Sequence, residues 1–197
     1  MKIRFQIKYL VYFILLLNIS CGENRKERHF ETHQNERNFE SHQKEIQELI
    51  AYFNEIVPKD KKIEIEFCTN SKLQRFQITE IDSFWVSKDS SYLCSYPLYF
   101  EWEVKIANIP DSILKKINWD HQTFKELKEK LDKAGCISIN NENPIEIGYK
   151  RNFFIGMTTY FIFTNFDSIK LKDIRSIRTD LHFFNDSIAW NYDTGAL

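Results

Sequence analysis

Two pairs of carboxylates stand two residues apart, Glu64/Glu66 in IEIEF and Glu101/Glu103 in FEWEV. On a strand such pairs share a face. Two carboxylates roughly 5–9 Å apart are the acid–base equipment of glycoside hydrolysis. Any solvated strand face produces the same spacing, however, and Lys105 continues one of the rows, so neither pair is assigned a catalytic role. His121 and His182 are the only histidines beyond residue 45. Neither has a nucleophile or an orienting acid at useful spacing. GxSxG, HExxH, CxxC and a glycine-rich phosphate loop are all absent, which disfavours the chemistries that need them. No catalytic residue, metal ligand or cofactor is therefore assigned.

The N-terminus carries the clearest signal. Lys2, Arg4 and Lys8 precede the apolar run Tyr9 to Leu17, with no acid among them. Even extended to Ile19, this core rises only about 16 Å as a helix, half of what a membrane span needs. A positive start and a short apolar core are those of a secretory signal peptide over residues 1–20. The segment Leu17-Asn18-Ile19-Ser20-Cys21-Gly22 resembles the lipobox of bacterial lipoproteins. That resemblance implies cleavage before Cys21 and diacylglyceryl modification of its thiol, so Cys21 is the expected lipidation site. Asn18 departs from the pattern, which has Leu three positions before the Cys. By analogy with enterobacterial sorting, Gly22 in place of Asp favours the outer membrane, facing the periplasm. Loss of Lys2, Arg4 and Lys8 leaves 24 basic groups against 28 acidic, a net charge of −4. Attachment then rests on acyl chains rather than on charge.

Residues 21–45 differ in composition. Past Cys21, Phe30 and Phe39 are the only large apolar residues, and five basic groups nearly cancel six acidic ones. Such a stretch has too little to bury to offset its ordering entropy, and a polar tether is expected. It holds a repeat, FETHQNE at 30–36 and FESHQKE at 39–45, with a period of nine residues. Nine steps of about 100° put the two copies on opposite sides of one helix. His29, His33 and His42 fall in this block, and His29 and His33 could share a helical face, but Cys21 is the only Cys near them. They are assigned to the tether.

Three further cysteines, Cys68, Cys94 and Cys136, make an odd count for an oxidising compartment. One alternative is a Cys68–Cys94 disulfide with one free thiol, closing about 26 residues for roughly 3.5 kcal/mol in the chain-entropy account. The other is three buried thiols.

The elements that would position these groups follow from periodicity. The whole chain has 27 basic and 28 acidic residues and is 43% apolar. There is no basic excess for nucleic acid, and the composition suits one globular domain, residues 46–197. Ile46, Leu49, Ile50 and Phe53 mark a helix ended by Pro58. Residues 63–67 alternate as a strand, and 73–78 follow as its weaker neighbour. Over 98–106, Leu98, Phe100, Trp102, Val104 and Ile106 share one face, which is assigned to the core. Asp120 is the expected N-cap of a helix bearing Phe124, Leu127 and Leu131, with Gly135 at its left-handed end. Strands are expected at 136–139, at 145–150 and, apolar on both faces and so central, at 155–164. A helix over 170–180 and a hairpin around Asn185-Asp186 close the chain.

The expected fold is α+β, an antiparallel sheet of about five to seven strands with helices packed on one face. From Gly135 to the end, the strand pair, the Lys150-Arg151 turn and the closing WNYDTGA segment resemble small lipoproteins of Gram-negative bacteria, which implies no particular activity. The expectation is a non-catalytic binding or assembly module of the cell envelope. Its partners would be the membrane, through acyl chains, and an envelope protein or ligand, with no nucleic acid. The alternatives are a periplasmic hydrolase using carboxylates and a carrier of a small apolar ligand. A cleft joining the Glu pairs with His121 favours the hydrolase, a charged sheet face the binding module, and a closed aromatic cavity the carrier.

Overall fold

A computed structural model describes residues 34–81, 97–152, 156–164 and 166–193. It divides into two units, residues 1–41 and 42–197. Of the first, helix α1 (residues 34–41) is described, with Asn35 and Phe39 buried. Cys21 and the first copy of the repeat up to His33 lie outside the described residues.

The second unit begins with α2 (Gln43–Ile56), which starts three residues before the expected position. It buries Ile46, Leu49 and Phe53, spaced three and four apart as one helical stripe. An eight-stranded sheet follows, formed by β1 (Lys61–Phe67), β2 (Leu73–Glu80), β3 (Pro97–Trp102), β4 (Ser138–Asn140), β5 (Ile145–Asn152), β6 (Gly156–Ile162), β7 (His182–Phe183) and β8 (Ile188–Asp193). The strand order is β3-β2-β1-β4-β5-β6-β8-β7, and every pairing is antiparallel. The α+β architecture is the expected one, with a sheet one strand wider than the upper bound.

Helices α3 (Asp111–Ile117) and α4 (His121–Lys133) make the crossover from β3 to β4. Asp120 caps α4. Its carboxylate accepts from the Thr123 amide at 2.8 Å, and the Asp120 amide donates back to Thr123 Oγ1 at 3.4 Å. Gly135 takes φ +65° just past the helix, where a Cβ would be strained. The helical layer is tied together at its polar atoms as well as its apolar ones. Trp119 Nε1 donates to the Ile56 carbonyl at 2.9 Å, satisfying an orphan acceptor at the end of α2. Tyr52 on α2 donates to Glu126 on α4 at 3.0 Å.

One face of the sheet carries Ile63 and Ile65 of β1, Phe76 and Ile78 of β2, Ile139, Ile147, Tyr160 and Trp190, all buried and joined in register across the strands. At the β2 end of this face Phe76 meets Trp119 and Phe124 of the helical layer, with ring centroids 6.2 and 5.6 Å away. The fifth helix, α5 (Ser168–Ile177), is capped by Asp167, whose carboxylate accepts from the Lys170 amide at 2.8 Å. Its Leu171 and Ile174 pack on Phe161, Phe163 and Ala189. Phe161 alternates with Tyr160 and so points to the other side of β6. That placement explains why β6 is apolar on both faces. It is an interior strand, but it lies third from the β7 edge rather than at the centre.

The run 98–106 differs from its expected orientation. Alternation holds, but the row holding Phe100 and Trp102 is the outward one, with these residues 42% and 48% exposed. The other row supplies the core contact, Tyr99 meeting Phe76 edge-on at 5.7 Å. The strand also ends at Trp102. Glu103 takes φ +54° and redirects the chain, so that Ile106 is buried in a short 3₁₀ turn, Ile106–Asn108. Nine residues of clean alternation therefore come from a strand and a turn in succession.

Candidate functional site

The sheet face opposite Phe76 and Ile65 is polar over β2, β1, β4 and β5. Register places Gln77, Glu64, Asn140 and Glu146 in one row, since Gln77 pairs with Glu64, Glu64 with Asn140 and Asn140 with Glu146. The next row is Arg75, Glu66, Ser138, Gly148 and Thr159. Glu66, Ser138, Asn140 and Thr159 are buried, while Glu64, Arg75, Gln77 and Glu146 are half-buried. The result is a polar trough with a buried floor and an accessible rim. A small depression at one end is lined by Lys62, Glu64, Gln77, Thr79, Asn140 and Glu142.

The side chains hold one another. Arg75 reaches Glu64 at 2.6 Å through Nη1 and donates to Gln77 Oε1 at 3.1 Å through Nη2. Its buried Nε has no partner among the described residues. Gln77 in turn donates to Thr79 Oγ1 at 3.3 Å. Asn140 is the hub of the other side. Its Nδ2 donates to Glu146 Oε2 at 3.1 Å, and its Oδ1 accepts from the Glu142 and Glu146 amides at 3.0 and 3.3 Å. Lys62 pairs with Glu142 at 3.5 Å.

Glu64 and Glu146 flank Asn140 from the two neighbouring strands, so their Cα atoms lie about 10 Å apart. Burial raises the carboxyl pKa of both. At Glu64 the Arg75 charge opposes the rise, and at Glu146 the Asn140 hydrogen bond does. A raised carboxyl pKa means that the folded state binds the proton more tightly than the unfolded chain. Each group then weakens the fold increasingly as pH climbs from the ordinary Glu range through the raised value. Glu146→Gln keeps an oxygen for Asn140 and removes the charge. It is expected to raise the melting temperature at pH 7, with the gain vanishing as pH falls below the ordinary Glu range. Thermal melts across that window check this, and a gain that grows toward low pH would contradict it.

Of the residues singled out from sequence, Glu64 and Glu66 enter the trough. Glu101 pairs opposite Phe76 on the other side of the sheet, and Glu103 turns away to meet Lys72 at 3.2 Å. His121 is exposed in the first turn of α4, and His182 stacks on Trp190 at 4.6 Å on the face that carries Ile65 and Tyr160. Neither approaches the Glu64–Glu146 row through the register. Cys68 is exposed and in no disulfide among the described residues, and Cys136 is buried, with its pKa pushed up to about 12 by that burial. Cys94 lies outside the described residues. Among the described residues no three His, Cys, Asp or Glu groups gather as a metal site, and no helix is long and apolar enough to cross a membrane.

Sequence reasoning missed Arg75, Asn140 and Glu146. The signal present was the alternation of Ile145-Glu146-Ile147, which repeats that of Ile63-Glu64-Ile65. What brings them together is strand order, which periodicity does not carry. By its fold the chain is an α+β protein built on an antiparallel sheet. Compared with known proteins, it matches no family model, no curated protein and no solved structure.

Proposed function

We propose that this chain is a lipid-anchored, non-catalytic protein of the cell envelope whose polar trough is a binding surface. The observation that carries the binding reading is the trough itself: a row of amide and carboxylate side chains, Gln77, Glu64, Asn140 and Glu146, held in place by strand register. Side chains fixed this way lose little freedom when a polar partner arrives. The anchor reading rests on the short apolar core and the lipobox-like segment ending at Cys21. Two or more acyl chains give stable attachment where one does not, and a net charge of −4 after cleavage would not substitute for them. Outer-membrane placement, facing the periplasm, rests on Gly22 after the Cys.

Two experiments test these parts separately. Wild type is expected to fractionate with membranes through a high-salt wash and to take up radioactive palmitate, while Cys21→Ser abolishes the label and leaves precursor or unanchored protein. Label persisting in Cys21→Ser ends the anchor reading. For the trough, pull-down of the intact protein from its own membranes is compared with the Glu64→Ala/Glu146→Ala double variant. Loss of a specific partner from a variant that still folds supports the reading, and an identical set of partners refutes it.

A second reading, a periplasmic hydrolase, draws on the two half-buried carboxylates facing one trough, both with raised pKa. Turnover of a panel of chromogenic glycosides, lost in Glu146→Gln, would favour it over binding alone.

A further inference from the structure

We propose that two copies of this chain join edge to edge through β3, continuing the sheet across a twofold axis at Phe100. Among the described strands β3 pairs with β2 on one side only. The Glu103 amide bonds the Gln74 carbonyl at 3.0 Å. By antiparallel alternation the amides and carbonyls of Phe100 and Trp102 therefore point away from the sheet, while Leu98 sits in a bulge where the register on β2 shifts. An open edge of this kind is a template for another strand unless something blunts it.

Phe100 and Trp102 also carry apolar side chains that the core leaves out. Phe100 and Trp102 are 42% and 48% exposed, in edge-on contact with each other at 5.8 Å. Arg75 lies 5.3 Å from the Trp102 ring and 5.9 Å from that of Phe100, covering part of each. Aromatic residues of this kind, rimmed by charge, are typical of the centre of an interface.

The sequence of the edge selects a second copy as the occupant. An antiparallel pairing of β3 with itself, centred on Phe100, places Phe100 opposite Phe100 and Leu98 opposite Trp102. Phe100 then exchanges hydrogen bonds with Phe100 of the second copy, and Trp102 lies beside the bulged end at Leu98. Glu101 falls opposite Tyr99 and Glu103 opposite Pro97, so no like charges oppose each other. Sliding the axis to Glu101 would set two carboxylates face to face. The twofold contact is isologous and closes on itself, which prevents the open edge from growing a fibre. It would unite the polar faces of two sheets side by side. The contact is short, because Pro97 and the bulge at Leu98 blunt the start of β3, so the dimer forms in a concentration-dependent way.

Disulfide trapping reads the register directly. In the full-length chain, in its membrane, Phe100→Cys places two Cα atoms about 5.5 Å apart, within reach of a disulfide. Glu101→Cys places them about 8 Å apart, beyond it. Mild oxidation is expected to give a homodimer, cross-linked at position 100 on both chains, for Phe100→Cys only. Sedimentation of the detergent-solubilised wild type is expected to show a monomer–dimer equilibrium in the micromolar range, and Trp102→Glu a folded monomer whose melting temperature falls by no more than the small cost of losing the half-exposed ring. A wild-type monomer at all concentrations overturns the proposal. So does trapping that is equal at positions 100 and 101, or a cross-link from position 100 to a different protein. These readouts are independent of ligand binding in the trough and of palmitate at Cys21.

Discussion

Replacing Phe76 by Ala is expected to destabilise the domain by about 3–5 kcal/mol, the cost of emptying a well-packed aromatic site. Phe76 is fully buried. It touches Tyr99, Trp119 and Phe124, with centroids 5.7, 6.2 and 5.6 Å away, and so joins the β3–β2 end of the sheet to the helical layer. The paired variant Trp102→Ala is expected to cost about 1 kcal/mol or less. It removes a half-exposed ring and one cation–π contact with Arg75, worth roughly 0.5–1 kcal/mol at an exposed site. The ratio matters more than either value. A one-residue slip of β3 would exchange its two faces, so equal costs in denaturant unfolding would mean that the strand is registered the other way.

Gly148→Ala is expected to cost about 1–3 kcal/mol through overpacking, although Gly148 has no unusual backbone angle. A Cβ there would stand 2.1 Å from Ser138 Oγ and 2.8 Å from Met157 Sδ. Ser138 cannot simply rotate aside without loss, because its Oγ accepts from the Gly148 amide at 3.1 Å and its own Cβ would be only 3.3 Å from the new methyl. The site adjoins a bulge where the β5–β6 register shifts between Gly148 and Lys150, so relief by sliding would disturb the pairing that holds Glu146 in the trough. For a chain of this size the loss corresponds to a fall in melting temperature of roughly 2–4 °C per kcal/mol. Ser138→Ala in the same chain removes the nearest atom and is expected to recover part of the loss. A double-mutant cycle with no coupling would show that the clash lies elsewhere.

Local chemistry alone was enough for much of this molecule. The stripe of Ile46, Leu49 and Phe53, the Asp120 cap, Gly135 at a left-handed position and the alternation of Ile63 to Phe67 each follow from contacts within a few residues. The α+β class follows from the order of such elements. For the same reason half of the trough was visible: Glu64 and Glu66 lie two apart on one strand and must share a face.

The tertiary structure decided everything that depends on which strands are neighbours. Glu146 lies 82 positions after Glu64 in the chain, yet faces the same trough because β4 separates β1 from β5 by a single strand. No periodicity encodes that adjacency. The orientation of β3 was decided the same way. Its sequence offers two faces, one with Phe100 and Trp102 and one with Tyr99, and hydrophobicity favours burying the first. Pairing with β2 and the space beside Phe76 admit Tyr99 instead, and the turn at Glu103 lets Ile106 reach the core without the rest of its row. Burial is a property of position in the sheet, and an edge strand has less core to share than its composition suggests.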